Sequence, residues 1–200
     1  MSVAVKLSKR ELTRSKVIRA AIDCIYEEGF YAAHTNRIAE KAGVSWGVIQ
    51  YHFGDKDGLL QAVLDDYFDY FTDTLAQSNL SDKQLSLRIR SLITVVWSLV
   101  SKREYRVSIA ILRNAGRSKD SSINGQNLTN IWAKKVTPLW RQLFCGLVEE
   151  PANSETVKRL MFATLRGLAD ELNPRGKTSS KELKKEFNAL GDALSFLLEN

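Results

Sequence analysis

Residues 35–53, TNRIAEKAGVSWGVIQYHF, decide how this 200-residue chain is read. Small and apolar side chains fall there where two helices meeting at a tight turn need them. Ile38, Ala39 and Ala42 give a first helix, about Thr35 to Lys41, a small inner face, Gly43 can adopt the positive φ that ends it, and Val44 plugs the angle. Ser45 stands where it can cap a second helix running to about His52. At about 100° per residue from Ile49, Phe53 and Ser45 share the inner face of that helix, and Gly47, Val48, Gln50 and Tyr51 turn outward.

That outward face carries no charge, which suits a surface sliding into a major groove. Gln50 can hydrogen-bond a base edge, Val48 can touch a thymine methyl, and Gly47 allows close approach. Trp46, at the N-terminal flank, is placed either to reach a base or sugar or to pack against its own domain. Groups suited to phosphate stand around the face: the Thr35 hydroxyl at a helix N-terminus, the Tyr51 hydroxyl, His52, and Lys56 at the start of the next helix. Taken singly, His52 also reads as a half-buried structural side chain and Lys56 as a solvated one. Flanking one helix together, they point to double-stranded DNA. The net charge of +6 is concentrated to match. Residues 1–19 hold Lys6, Lys9, Arg10, Arg14, Lys16 and Arg19 against the single acid Glu11, and phosphate neutralisation at such an end supplies sequence-independent affinity.

Working outward, apolar residues recur at helical spacing along the whole chain and no alternating run bounded by turns interrupts them, so the expectation is an all-α fold of about nine helices. The first runs from about Ser8 to Glu28, opened by the capping-box pair Ser8 and Glu11 and stopped by Gly29. Asp55 can cap a helix bearing Leu60, Leu64, Tyr67, Phe68 and Phe71. Capping-box pairs Ser81 with Gln84, Ser101 with Glu104 and Ser179 with Glu182 mark three later starts, and Ser154 a fourth. A loop at residues 118–127 leads to a helix of about 128–149 that Pro138 should kink or split, and the breaker NPRGK separates the last two helices. The organisation is a three-helix helix-turn-helix unit over residues 1–54 and a larger helical body over 55–200.

Other functional classes find little support. No run of about 18 apolar residues and no cleavable leader pattern occurs, so the chain is expected in the cytoplasm and off the membrane. Cys24 and Cys145 lie in apolar helical patterns and read as buried thiols rather than a disulfide or metal pair. With only two histidines, His34 and His52, both in the reading unit, no metal-ligand cluster, phosphate loop or nucleophile-base pair emerges. No catalytic residue, metal or cofactor is therefore expected.

Over about residues 14–64 the sequence resembles the TetR family of bacterial regulators. The marks are Ala20-Ala21 and Gly29-Phe30 in the first helix, Ile38-Ala39 and Ala42-Gly43-Val44-Ser45 at the turn, then Tyr51-His52-Phe53, Lys56 and Leu59-Leu60. Two positions depart from the family's habit. Gln50 stands where tyrosine is frequent and His34 where a small hydroxyl residue is, so the family's operator contacts do not carry over unchanged. The resemblance implies that the C-terminal body dimerises and binds a small-molecule effector. It implies a DNA-binding transcriptional regulator, a repressor released from a near-palindromic operator; the alternative is a helical ligand-binding or adaptor protein with a vestigial helix-turn-helix.

Dimerisation has a physical motive as well, because one reading helix covers too few bases for useful specificity. Candidate interface stripes are Leu160, Thr164 and Leu168 on one helix, and Phe187, Leu190, Leu194 and Leu197 on the last, whose spacing of four and three suits a helix-bundle seam. Those stripes could equally face the protein's own core. Trp97, Trp132 and Trp140, with Arg113, are candidates to line a pocket for an apolar or aromatic effector, although aromatics at helical spacing also build cores.

Overall fold

The computed structural model describes residues 8–78, 80, 84–114, 123–144, 151–172 and 178–199. Among the described residues there are nine α-helices and no strand. They are α1 (Lys9–Glu28), α2 (Thr35–Ala42), α3 (Trp46–Phe53), α4 (Lys56–Gln77), α5 (Leu85–Val100), α6 (Arg103–Asn114), α7 (Gly125–Leu143), α8 (Pro151–Leu172) and α9 (Lys184–Glu199). Among the described residues no helix is long and apolar enough to cross a membrane. The chain divides into two compact units, one of residues 1–67 and 106–129, the other of 68–105 and 130–200.

In the first unit α1 supplies the wall. The capping box at its start is complete: the Ser8 hydroxyl accepts from the Glu11 amide and the Glu11 carboxylate accepts from the Ser8 amide. Those bonds hold the Glu11 carboxyl below its usual pKa, the backbone bond from Ser8 contributing most. Val17, Ala21 and Cys24 are the fully buried residues of α1, flanked by Ile18, Ala20, Ile22 and Ile25, and α2 lies against this helix. Burial raises the pKa of the Cys24 thiol. Cys145 lies outside the described residues.

In the second unit α5, α8 and α9 pack on one another. From α5 come Ile89, Leu92, Ile93 and Val96, and from α8 come Val157, Met161, Leu165 and Ala169, which repeat every four residues and are all buried. The buried side of α9 is Phe187, Gly191, Leu194, Ser195 and Leu198.

Several local expectations are corrected. Helix α7 runs unbroken through Pro138, so it is not split there; burial of Val136 and Trp140 on either side offsets the one backbone bond that proline removes. Helix α8 begins at Pro151, three residues before Ser154, whose carbonyl instead accepts from the Trp140 indole N–H at 3.0 Å. Ser179 does meet Glu182, at 3.3 Å, but residues 180–183 form a turn and the regular helix starts at Lys184. Ser101 serves as the C-cap of α5, and α5 itself starts from Gln84. Ser81, Lys6, residues 118–122 of the expected loop and the NPRGK breaker lie outside the described residues.

Ile38, wholly buried on α2, tests whether the short helices depend on packing. Ile38→Ala is expected to lower the unfolding free energy by about 2–5 kcal/mol in urea denaturation. Leu87→Ala, at an exposed position of α5, should change it by no more than about 0.5 kcal/mol.

Candidate nucleic-acid interface

The turn between α2 and α3 is built on Gly43, whose φ of 58° and ψ of 41° place it in the left-handed region. Its N–H bonds to Glu40 O at 2.9 Å and the Val44 N–H returns to Ala39 O at 3.1 Å, closing the paired bonds of a Schellman motif. Ile49 is the one fully buried residue of α3, and Phe53 is half-buried on the same side. Ser45 departs from expectation: it occupies the N-cap position with extended backbone, yet its side chain makes no capping bond and is exposed. His34 at the N-cap of α2 likewise makes no side-chain cap.

The outer side of α3 is as open as its pattern requires. Gly47 and Gln50 are exposed, Tyr51 is 72% exposed, and Trp46, Val48 and His52 are half-buried. A Cβ built on Gly47 would find only the Ser45 hydroxyl, at 3.8 Å, so the backbone there is open to a close approach. Thr35 is the first residue of α2 and half-buried. Lys56, at the start of α4, holds its ammonium 5.5 Å from the centre of the Phe30 ring. Asp55 fixes the approach to α4 by accepting from the Gly58 N–H at 2.7 Å. Gly58 has no substitute, since a Cβ would lie 2.0 Å from the Phe53 carbonyl oxygen.

The cations of this unit sort into two groups. Arg37 bridges Glu28 at 3.0 Å and Glu40 at 2.9 Å, and Lys41 pairs with Glu27. These bonds, Glu40 foremost for Arg37 and Glu27 for Lys41, raise both pKa values and tie α2 to the end of α1. Arg10 and Arg14 behave differently. One turn apart on α1, they place their guanidinium carbons 5.8 Å from the Tyr51 ring centre and 5.5 Å from the Phe53 ring centre. No ion pair engages them among the described residues. From the sequence they count only as part of a basic end; their spacing of four puts them on one face of α1 but does not say which element that face meets.

The other candidates are dispersed. Trp97 is buried and packs edge-on against Phe187 at 5.5 Å, and Trp140 is fully buried. Trp132 lies between Phe68, stacked at 5.0 Å, and Phe71, edge-on at 5.0 Å, with its indole nitrogen buried and without a hydrogen-bond partner among the described residues. These three indoles are in the second unit, whereas Arg113 is exposed and in the first. Of the stripe residues, Leu160, Thr164 and Leu197 are exposed, Leu168 and Leu190 half-buried, and Phe187 and Leu194 buried.

Residues 17–63 match the family described as bacterial regulatory proteins, tetR family. A stretch of 90 residues is 34% identical to the HTH-type transcriptional regulator BetI of Klebsiella pneumoniae, covering 44% of this chain and 46% of that protein, so the match spans about half the relative's length. Among solved structures, Salmonella enterica GusR superposes with a TM-score of 0.71 at 19% identity, covering 98% of this chain and all of that one. The multidrug binding protein EbrR, solved with imidazole, superposes with a TM-score of 0.64 at 18% identity over 99% of this chain and 97% of its own. At such identities the structural likeness concerns the fold.

The empty caps give a direct test. His34→Ser would supply the hydroxyl that the α2 amides lack, and is expected to stabilise the chain by about 0.5–1 kcal/mol in denaturant titration. A loss of stability would show that the His34 ring does structural work at that corner.

Proposed function

We propose, for a chain that belongs to the TetR family of bacterial regulators, a sequence-specific DNA-binding transcription regulator, a repressor that leaves a near-palindromic operator when a small-molecule effector binds its helical body. The observation that carries this reading is the outer face of α3: Gly47, Val48, Gln50 and Tyr51, uncharged and accessible, with Arg10, Arg14, His52 and Lys56 around them. Gln50 offers an amide able to pair with a base edge in two directions, Val48 an apolar contact and Gly47 the clearance, while Trp46 stands at the flank. Thr35, Tyr51, His52 and Lys56, with the two arginines, supply the phosphate contacts that set register without reading sequence. Residues 1–54 act as the reading unit and 55–200 as the body, in the cytoplasm.

A dimer reading half-sites one helical turn apart, or a multiple of it, supplies the missing specificity. The outer sides of α8 and α9 support such an interface. Leu160 and Leu172 on α8, and Phe196 and Leu197 on α9, are exposed apolar side chains, Phe196 to 65%. Leu160, Thr164, Leu168, Leu190 and Leu197 would then meet a second copy, with Phe187 and Leu194 supporting them from the core side. For the effector, the buried Trp132 N–H, between Phe68 and Phe71 and without an acceptor among the described residues, favours an aromatic or apolar molecule that brings an acceptor atom. Trp140 borders that region through Phe162, which also stacks on Phe71, whereas Trp97 packs on Phe187 and Arg113 is exposed in the other unit, so these two are the weakest members of the set. Helix α4 carries Lys56 in its first turn and Phe68 and Phe71 further on, so a molecule beside Trp132 bears on the helix that follows α3.

Selection from a random DNA pool should yield a short near-palindrome, and Gln50→Ala/Tyr51→Ala should lose preference for it while keeping non-specific affinity. Lys56→Ala should weaken binding to every sequence and lower the salt slope by about 1. Recovery of no preferred sequence across a range of salt would sink the reading and favour an adaptor. Sedimentation velocity checks the interface: Leu160→Glu combined with Phe196→Glu should turn a dimer into a folded monomer.

A further inference from the structure

A cleft of about 350 Å³ opens in the second unit between α5 and the residues that lead into α9. Among the described residues its lining is Arg90 and Thr94 from α5, then Ser180, Lys181, Lys184, Phe187 and Asn188, with no carboxylate. We propose that this cleft binds the anionic group, carboxylate or phosphate, of a small molecule with a short apolar body. This site is separate from the DNA-reading face, and the proposal does not rest on that reading.

Three cations on one cleft repel one another unless anions lie among them. Arg90 is partly neutralised: its guanidinium donates to Asn188 Oδ1 at 2.6 Å and pairs with Asp192. That arrangement also fixes its position, because its aliphatic stem crosses α9 at Gly191, where a Cβ would stand 3.2 Å from Arg90 Cγ. Lys181 and Lys184 have no acidic partner among the described residues. Glu182, between them, meets Ser179 instead. Two lysines without an acidic partner among the described residues therefore line a cleft whose third cation is held in place, and Ser180 lines it with them as a further potential donor. The apolar part of the ligand follows from Phe187, which is buried, packs edge-on against Trp97 and is the one aromatic residue of the lining among the described residues. Water alone would solvate two lysines on a flat surface equally well. A concave lining that joins them to an aromatic ring and a clamped guanidinium favours a molecule with both a charged and an apolar end.

Calorimetric titration of the full-length protein at low salt tests this with hexanoate, hexyl phosphate and hexanol. Hexanoate, hexyl phosphate or both should bind and hexanol should not; binding by only one of the two supports the site and identifies the headgroup. Lys181→Gln/Lys184→Gln, at exposed positions where folding is not at stake, should weaken anion binding at least tenfold. Lys134→Gln, an exposed lysine of α7 away from the cleft lining, should leave it unchanged. The proposal is overturned if neither anion binds, if hexanol binds as well as they do, or if the double variant binds them as tightly as the parent.

Discussion

Helices α2 and α3 are eight residues each, and a helix that short does not hold itself together in water. Their existence depends on burial of one narrow strip: Ile38, Ala39 and Ala42 on α2, and Ile49 on α3, with α2 seated on α1 and α3 on α2. Everything the reading face offers follows from that constraint. Because a single buried residue anchors α3, the remainder of its surface need not pack and can stay open. The ion pairs of Arg37 and Lys41 lie on the surface and contribute modestly; their geometry holds α2 in register on α1 more than it adds stability.

How much of this could be read in the sequence depended on whether a signal was local. The capping box of Ser8 and Glu11, the left-handed Gly43 and the Asp55 cap each rest on residues within three or four positions, and each is present as the spacing implies. Signals that pair a local preference with a tertiary alternative were less reliable. Ser45 has the right residue type and backbone for a cap but forms none, and Ser154 lies inside a helix, with its carbonyl accepting from an indole. Pro138 is a helix breaker by local rule, yet the packing of Val136 and Trp140 overrides it. The place of Arg10 and Arg14 over α3 was hidden for the opposite reason. Their partners, Tyr51 and Phe53, are about forty residues away, and no local pattern connects the two segments.

The last helix shows why a repeat of fours and threes cannot choose between inside and outside. The stripe Leu183, Phe187, Leu190, Leu194 and Leu197 is a valid seam by spacing. Helix α9 instead buries Phe187, Gly191, Leu194 and Leu198, so two of its positions are displaced by one residue from that stripe. Gly191 would not be chosen from hydrophobicity, but it is buried because the Arg90 stem crosses there and leaves no room for a side chain. The displacement leaves Leu197 and Phe196 outside, on a helix whose inner side is already satisfied by α5 and α8.

A helix with apolar side chains on both sides has two debts to water, and the fold of one chain discharges only one. The same holds for α8, where Val157, Met161, Leu165 and Ala169 are buried while Leu160 and Leu172 are not. Two neighbouring helices with the same surplus, on the same unit, are the surface that the proposed dimer would cover. A two-fold partner answers this geometry economically, because one self-complementary patch covers both copies at once. It also explains why the division between core and outer stripe on α9 matters: moving the stripe by one residue would bury the leucines that a second copy could use and would close the space that Arg90 occupies.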